Sequence, residues 1–156
     1  MNTETERKFL VKDNSFKAEA VQVYTIRQGY IAHDGGNSVR VRIRDNRGFL
    51  TIKGPSDDGV SRQEWECEIP LEDARELFLL CKPGAIDKKR YLDPAGEGRF
   101  FEVDEFFGAN EGLVMAEIEL SRADEAFPHP AWLGEEVTGD RRYYNAQLSQ
   151  HPYSTW

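Results

Sequence analysis

Apolar and polar side chains alternate with a period of two along much of this chain. The stretches Glu4 to Leu10, Ser38 to Arg44, Phe49 to Lys53, Arg62 to Ile69, Lys88 to Leu92, Arg99 to Glu105 and Leu113 to Leu120 read as strands, because extended backbone sends successive side chains to opposite faces. Turn chemistry fills several gaps: Gly35-Gly36-Asn37, Asp45-Asn46-Arg47-Gly48, and the run from Gly54 through Pro55 to Gly59. Gaps this short predict antiparallel hairpins. Helical spacing is rarer. Leu71, Ala74, Leu77, Phe78 and Cys81 recur at three- and four-residue steps behind Pro70, and Pro83-Gly84 ends the run. Two further helices are predicted, at Asn14 to Val23 and at Gly139 to Gln150, the latter with Thr138 as N-cap and Tyr144 and Leu148 on one face. The pattern is α+β, a mostly antiparallel sheet with about three helices on it. Without internal repeats or a linker-like shift in composition, residues 1–156 read as one domain.

Sorting the strands by parity separates two unlike faces. One carries Glu4, Glu6 and Lys8; Arg40, Arg42 and Arg44; Thr51 and Lys53; Arg62, Glu64, Glu66 and Glu68; Lys88 and Arg90; Glu102 and Asp104; Glu117 and Glu119. The other is mostly apolar, with Val39, Val41, Ile43, Ile52, Trp65, Cys67, Ile69, Phe101, Val103, Ala116 and Ile118. An amphipathic sheet with one wet face would explain any single strand. Across the set, paired charges of one sign recur on strand after strand, and like charges two apart repel. The reading favoured is a sheet curled into a barrel with the charged face inside, since perturbed charge clusters concentrate at functional sites.

Composition narrows the function. Asp and Glu number 28 against 20 Lys and Arg, a net charge of −8, which argues against nucleic acid or an anionic membrane surface as a partner. Cys67 and Cys81 form no metal-ligand or disulfide framework, and both are expected to be packed as apolar groups. No apolar run is long enough for a membrane span, and the polar start, Met1 to Lys8, does not read as a signal peptide. A cytoplasmic location follows as the expectation. His33, His129 and His151 lack ligand spacing and read as surface histidines.

The charged face also has a stoichiometry. Six basic residues (Lys8, Arg40, Arg42, Lys53, Lys88, Arg90) stand against eight acidic ones (Glu4, Glu6, Glu64, Glu66, Glu102, Asp104, Glu117, Glu119). The balance is −2, and roughly two divalent cations would bring it to about +2 and prepare the site for a polyanion. Carboxylate oxygens without His or Cys favour Mg²⁺ or Mn²⁺. Basic groups from several strands suit an extended phosphate chain. The chemistry indicated is metal-assisted cleavage of a triphosphate.

These residues also carry a resemblance. Glu4-Thr-Glu6-Arg-Lys8 matches the ExExK signature of the CYTH superfamily, the triphosphate tunnel metalloenzymes, and the family's later motifs follow in order. They are Gln28-Gly29-Tyr30, Val39-Arg40-Val41-Arg42, Thr51-Ile52-Lys53-Gly54, Glu64-Trp65-Glu66, Lys88-Lys89-Arg90, Glu102-Val103-Asp104, Glu117-Ile118-Glu119 and Glu136-Val137-Thr138. The resemblance implies an eight-stranded antiparallel β-barrel around a charged tunnel, with the final helix closing one end. It implies triphosphate binding by Lys8, Arg40, Arg42, Lys53, Lys88 and Arg90, and metal binding by Glu4, Glu6, Glu117 and Glu119 with Asp104 assisting. Lys8, Glu4, Glu6 and Glu119 are the expected catalytic set. Glu64, Glu66 and Glu102 share the tunnel without a fixed role, and Tyr30 is placed either near substrate or in strand-edge packing. The leading activity is inorganic tripolyphosphate hydrolysis by a monomer or homodimer; class IV adenylyl cyclase and non-catalytic polyphosphate binding are the alternatives.

Overall fold

The computed structural model describes residues 2–156. Nine strands and three helices follow in the order β1 (Asn2–Val11), α1 (Phe16–Glu19), β2 (Gln22–Asp34), β3 (Asn37–Arg44), β4 (Arg47–Lys53), β5 (Ser61–Ile69), α2 (Leu71–Phe78), β6 (Ile86–Pro94), β7 (Phe100–Phe106), β8 (Val114–Glu119), β9 (Leu133–Glu136) and α3 (Asn145–Gln150). The sheet runs β5-β4-β3-β2-β6-β7-β8-β1-β9, and β1 also pairs with β5. That last pairing closes eight antiparallel strands into a barrel and leaves β9 as an extra. β1 makes closure possible by dividing one edge: Asn2–Thr5 pair with β5, and farther along Phe9 and Val11 pair with β9. Its other edge takes β8. A closed barrel leaves few open edges to pair with other chains.

The α+β class and the barrel expected from the alternating faces are borne out, while several local expectations need correction. The helix predicted over Asn14–Val23 is the four-residue α1, because Ala20 turns to extended backbone (φ −65°, ψ 136°) and β2 begins two residues on. β2 itself had no clear period-two signature, since Arg27, Gln28, Gly29 and Tyr30 break the alternation. It is nonetheless a central strand, paired with β3 and β6. The predicted Leu71–Cys81 helix stops at Phe78, and Cys81 lies beyond it against Gly29, where a Cβ would approach the Cys81 sulfur to 2.9 Å. The C-terminal helix is two pieces, a 3-10 turn at Arg141–Tyr143 and then α3. Asp140, not Thr138, caps the first by accepting from the Arg142 amide at 3.1 Å. Thr138 instead accepts from the Lys8 amide at 2.9 Å and ties this segment to β1.

Apolar packing differs between the outside and one end of the interior. Outside, Phe9, Phe16, Phe101, Val103, Ile118, Trp132 and Leu133 form a core beneath α1 and the connection before β9. Phe101 and Phe16 meet Trp132 edge-on at 5.3 and 6.0 Å between centroids, geometry that adds about 0.5–1.5 kcal/mol per pair to area burial. Inside, Ile86, Phe106 and Met115 share the parity of the lumen charges yet pack with Val137, Tyr143 and Leu148. The C-terminal segment therefore fills one end of the barrel. α2 packs Ala74 against Gly48 of β4, but farther along β4 and β5 the wall is uncovered: Ile52 and Trp65 are 43 % and 42 % exposed, and Cys67 is exposed. The expectation of a buried Cys67 fails because no helix covers that stretch of the wall.

Candidate active site in the barrel lumen

The lumen is a cavity of about 1030 Å³ lined by the charged face of the strands. Period two alone delivers Glu4, Glu6 and Lys8 from β1, Arg40 and Arg42 from β3, and Lys53 from β4. Glu64 and Glu66 reach it from β5, Lys88 and Arg90 from β6, Glu102 from β7, and Glu117 and Glu119 from β8, with Tyr30 toward the β2–β3 hairpin. The register sets neighbours: Glu6 faces Glu119 and Lys8 faces Glu117 across β1 and β8, while Glu102 faces Glu117 across β7 and β8. In the order of the barrel wall, β8, β1 and β5 make an acidic arc. β3, β2 and β6 make the opposing basic arc.

On the acidic arc, carboxyls are crowded. Burial, then repulsion from Glu117 and Glu4, push Glu6 well above the usual carboxylate range, with Lys53 offsetting only part. Burial would push Glu4 up too, but its hydrogen bond with Glu64 and the charge of Lys53 bring it down to about 2. Glu64 is pushed up to about 7 by burial and by that same hydrogen bond. The two neighbouring carboxyls are thus displaced in opposite directions. Glu119 is raised by burial and by Glu4 and Glu102. Two lysines stand among these groups: Lys53 Nζ donates to Glu4 at 3.0 Å and Lys8 Nζ lies 3.2 Å from Glu117. Burial opposes ionisation of Glu117, but Lys8, Arg90 and Lys88 hold it well below the usual range.

On the basic arc, burial is the main opponent of charge. It takes Lys88 down to about 7 in spite of Asp104, and with Arg40 and Arg90 it takes Arg42 down to about 9. Asp104 stands behind this arc, only 2 % exposed. Its oxygens accept from Arg90 Nε and Nη2 at 2.8 and 2.9 Å and from Lys88 Nζ at 2.8 Å. Glu102 takes the remaining Arg90 nitrogen at 2.9 Å. Arg40 donates to Thr51 at 3.2 Å and lies 3.6 Å from Glu66.

Several functional contacts have no counterpart in the sequence reading. The Tyr143 carbonyl accepts from Lys8 Nζ at 3.0 Å, and the Tyr144 ring lies 5.3 Å from that nitrogen and 5.1 Å from the Arg62 guanidinium. Gln28, wholly buried, accepts from Arg42 and donates to Asn145. His33 lines the cavity instead of lying apart from it. A backbone carbonyl leaves no trace in sequence, and Gln28 sits in the strand whose alternation is broken. The residues of the Gln28-Gly29-Tyr30 motif were the one available signal.

A closed antiparallel barrel with opposing acidic and basic arcs in its lumen defines a class of charged-tunnel protein. Family comparison agrees: the CYTH domain model matches residues 2–150, and the chain belongs to that family. It is 48 % identical to an inorganic triphosphatase of Acetivibrio thermocellus, covering 100 % of this chain and 99 % of that one. It is 36 % identical to an inorganic triphosphatase of Nitrosomonas europaea, over 94 % and 97 % of the two chains. Among solved structures, an inorganic triphosphatase matches with a TM-score of 0.64 at 33 % identity, over 94 % of this chain and 97 % of that chain. A Hippeastrum protein described as a putative adenylyl cyclase with dominant triphosphatase activity shares the fold (TM-score 0.62, 16 % identity, 76 % and 80 % coverage).

Proposed function

We propose that this protein hydrolyses the terminal phosphoanhydride of inorganic tripolyphosphate to pyrophosphate and phosphate, using Mg²⁺ or Mn²⁺. The observation that carries the reading is the facing of two unlike arcs in one lumen, carboxyls of β1 and β8 opposite arginines and lysines of β3 and β6. One arc suits cations and the other suits a chain of phosphates, so a metal–polyphosphate complex matches both at once. The inorganic triphosphatases at 48 % and 36 % identity support this substrate.

The donor set fits a hard divalent ion. It is all carboxylate oxygen, and Glu6 is displaced upward by burial first and then by the neighbouring charges of Glu117 and Glu4, with Lys53 opposing. Among the described residues no three such groups already converge as a coordination shell, and Lys53 and Lys8 stand against Glu4 and Glu117. Glu4, Glu6, Glu117 and Glu119 would hold one or two ions, whose chemistry is to neutralise phosphate oxygens and acidify water. The chain's own groups do the rest. Arg40, Arg42, Lys88 and Arg90 bind and straighten the triphosphate, and their charge stabilises the departing pyrophosphate. Lys53 and Lys8 contact it from beside the acidic arc. Either Glu119 or Glu6 accepts the proton of the attacking water, and Lys8 lies within reach of both phosphate and carboxylate. Asp104, with both oxygens held by Lys88 and Arg90, orients the basic arc.

Phosphate release from tripolyphosphate, ATP and thiamine triphosphate, each with Mg²⁺, Mn²⁺ or EDTA, tests the assignment. Metal-dependent release fastest with tripolyphosphate is expected. Cyclic AMP from ATP without phosphate release, or tight binding without turnover in either metal, would overturn it.

A further inference from the structure

Of the six basic residues expected to hold the triphosphate, five have a carboxylate partner: Lys8 with Glu117, Lys53 with Glu4, Arg40 with Glu66, and Lys88 and Arg90 with Asp104. Arg42 has none within ion-pair distance among the described residues. Its Nε donates at 2.9 Å to a neutral oxygen, Gln28 Oε1. Its two terminal nitrogens have no hydrogen-bond partner among the described residues and are not walled off from solvent, while the residue lines the lumen.

Behind Arg42 the contacts continue. Gln28 Nε2 donates at 3.0 Å to Asn145 Oδ1, which also accepts from Lys88 Nζ at 2.8 Å. Arg42 and Lys88 can only donate, so both ends of this chain fix which way each amide points. We propose that Gln28 and Asn145 act as an amide relay, positioning residues that aim Arg42 at the triphosphate without cancelling its charge. This deepens the proposed function and rests on it for the identity of the anion.

The choice of amide is informative. A glutamate at position 28 could accept from Arg42 in a stronger, charge-assisted hydrogen bond. It would also neutralise a lumen guanidinium that has no carboxylate partner and is free for an incoming anion. Asn145 extends the same logic to the N-terminal residue of α3, making the C-terminal segment a part of the basic arc as well as a plug.

The test compares Gln28→Glu with Gln28→Leu, and Asn145→Asp with wild type, by melting temperature, by KM and kcat for tripolyphosphate, and by calorimetric titration of tripolyphosphate in EDTA. Losing one free charged contact corresponds to about tenfold or more in affinity. Gln28→Glu is expected to weaken binding by that factor in both KM and calorimetry, with kcat changed less than about threefold and melting at or above that of Gln28→Leu. Gln28→Leu, which loses orientation but keeps the charge of Arg42 free, is expected to bind better than Gln28→Glu while melting lower. Asn145→Asp keeps an oxygen for both hydrogen bonds that Oδ1 accepts and is expected to raise KM in the same sense, and it carries the test if Gln28→Glu does not fold. A merely supporting role predicts the reverse order, with Leu the worse binder and Glu or Asp close to wild type. That result overturns the relay, as does a wild-type protein that does not bind tripolyphosphate in EDTA. Wild-type binding without turnover would instead remove the proposed function and leave the relay to stand on the calorimetric order.

Discussion

The two arcs of the lumen are built from the same residue economy and held in opposite ways. On the acidic arc, Glu6 and Glu119 face one another, and both are displaced upward by burial and like charge. On the basic arc, Arg90 and Lys88 are more deeply buried still, but Asp104 binds both at 2.8 Å. One arc leaves its charge crowded and the other supplies counter-charge from behind. Burial alone therefore does not decide what a lumen residue is for; the partner supplied by the fold does. Under the proposed function, the crowded carboxylate arc would be completed by a cation from solution, and the supported cationic arc would receive the anion.

The largest effect should come from the acidic arc. Glu119→Ala removes a carboxyl opposite Glu6 without opening the apolar core, because Glu119 is exposed to the lumen. Turnover is expected to fall more than about a hundredfold with Mg²⁺ saturating, while far-ultraviolet circular dichroism stays that of wild type. Full activity in the purified variant would erase the functional difference between the arcs. A smaller, different effect is expected on the basic arc. Arg42→Ala should raise KM about ten- to a hundredfold at nearly constant kcat, the worth of one charge-assisted contact made in ground and transition state alike. A collapse of kcat at unchanged KM would show that Arg42 acts mainly on the transition state.

How much of this arrangement was legible in sequence depended on whether a strand kept its alternation. Glu4-Thr-Glu6-Arg-Lys8 and Val39-Arg40-Val41-Arg42 keep it without interruption, and Glu4, Glu6, Lys8, Arg40 and Arg42, which share one parity in each strand, all line the lumen. β2 does not, so alternation assigns Gln28 no face, and its hydrogen bond to Asn145 has no signal in the sequence. Parity also could not tell a lining carboxylate from one set behind the wall. Asp104 shares its face with Glu102, but the two guanidinium bonds and Lys88 draw it out of the lumen. Outside the barrel the apolar face was correctly marked, yet which part would be covered was not. Phe101 is buried because the chain after β8 folds over it, and Trp65, just as apolar, is left 42 % exposed. Such coverage depends on the path of a long connection, which no local pattern encodes.

The smallest predicted effect tests where one arc gives way to the other. Glu102 faces Glu117 of the acidic arc in register, but its contact is with Arg90 of the basic arc at 2.9 Å. Arg90 is already held twice by Asp104, and the Glu102 side chain is 35 % exposed, so solvent screens much of what the ion pair contributes. Glu102→Gln keeps an oxygen for Arg90 and removes only the charge. KM and kcat for tripolyphosphate are expected to move by less than about threefold, within the 0.2–1 kcal/mol typical of such exposed pairs. If Glu102 works with the acidic arc instead, the same substitution will raise the Mg²⁺ concentration needed for half-maximal rate, and a tenfold increase would move Glu102 and the boundary of the cation site onto β7.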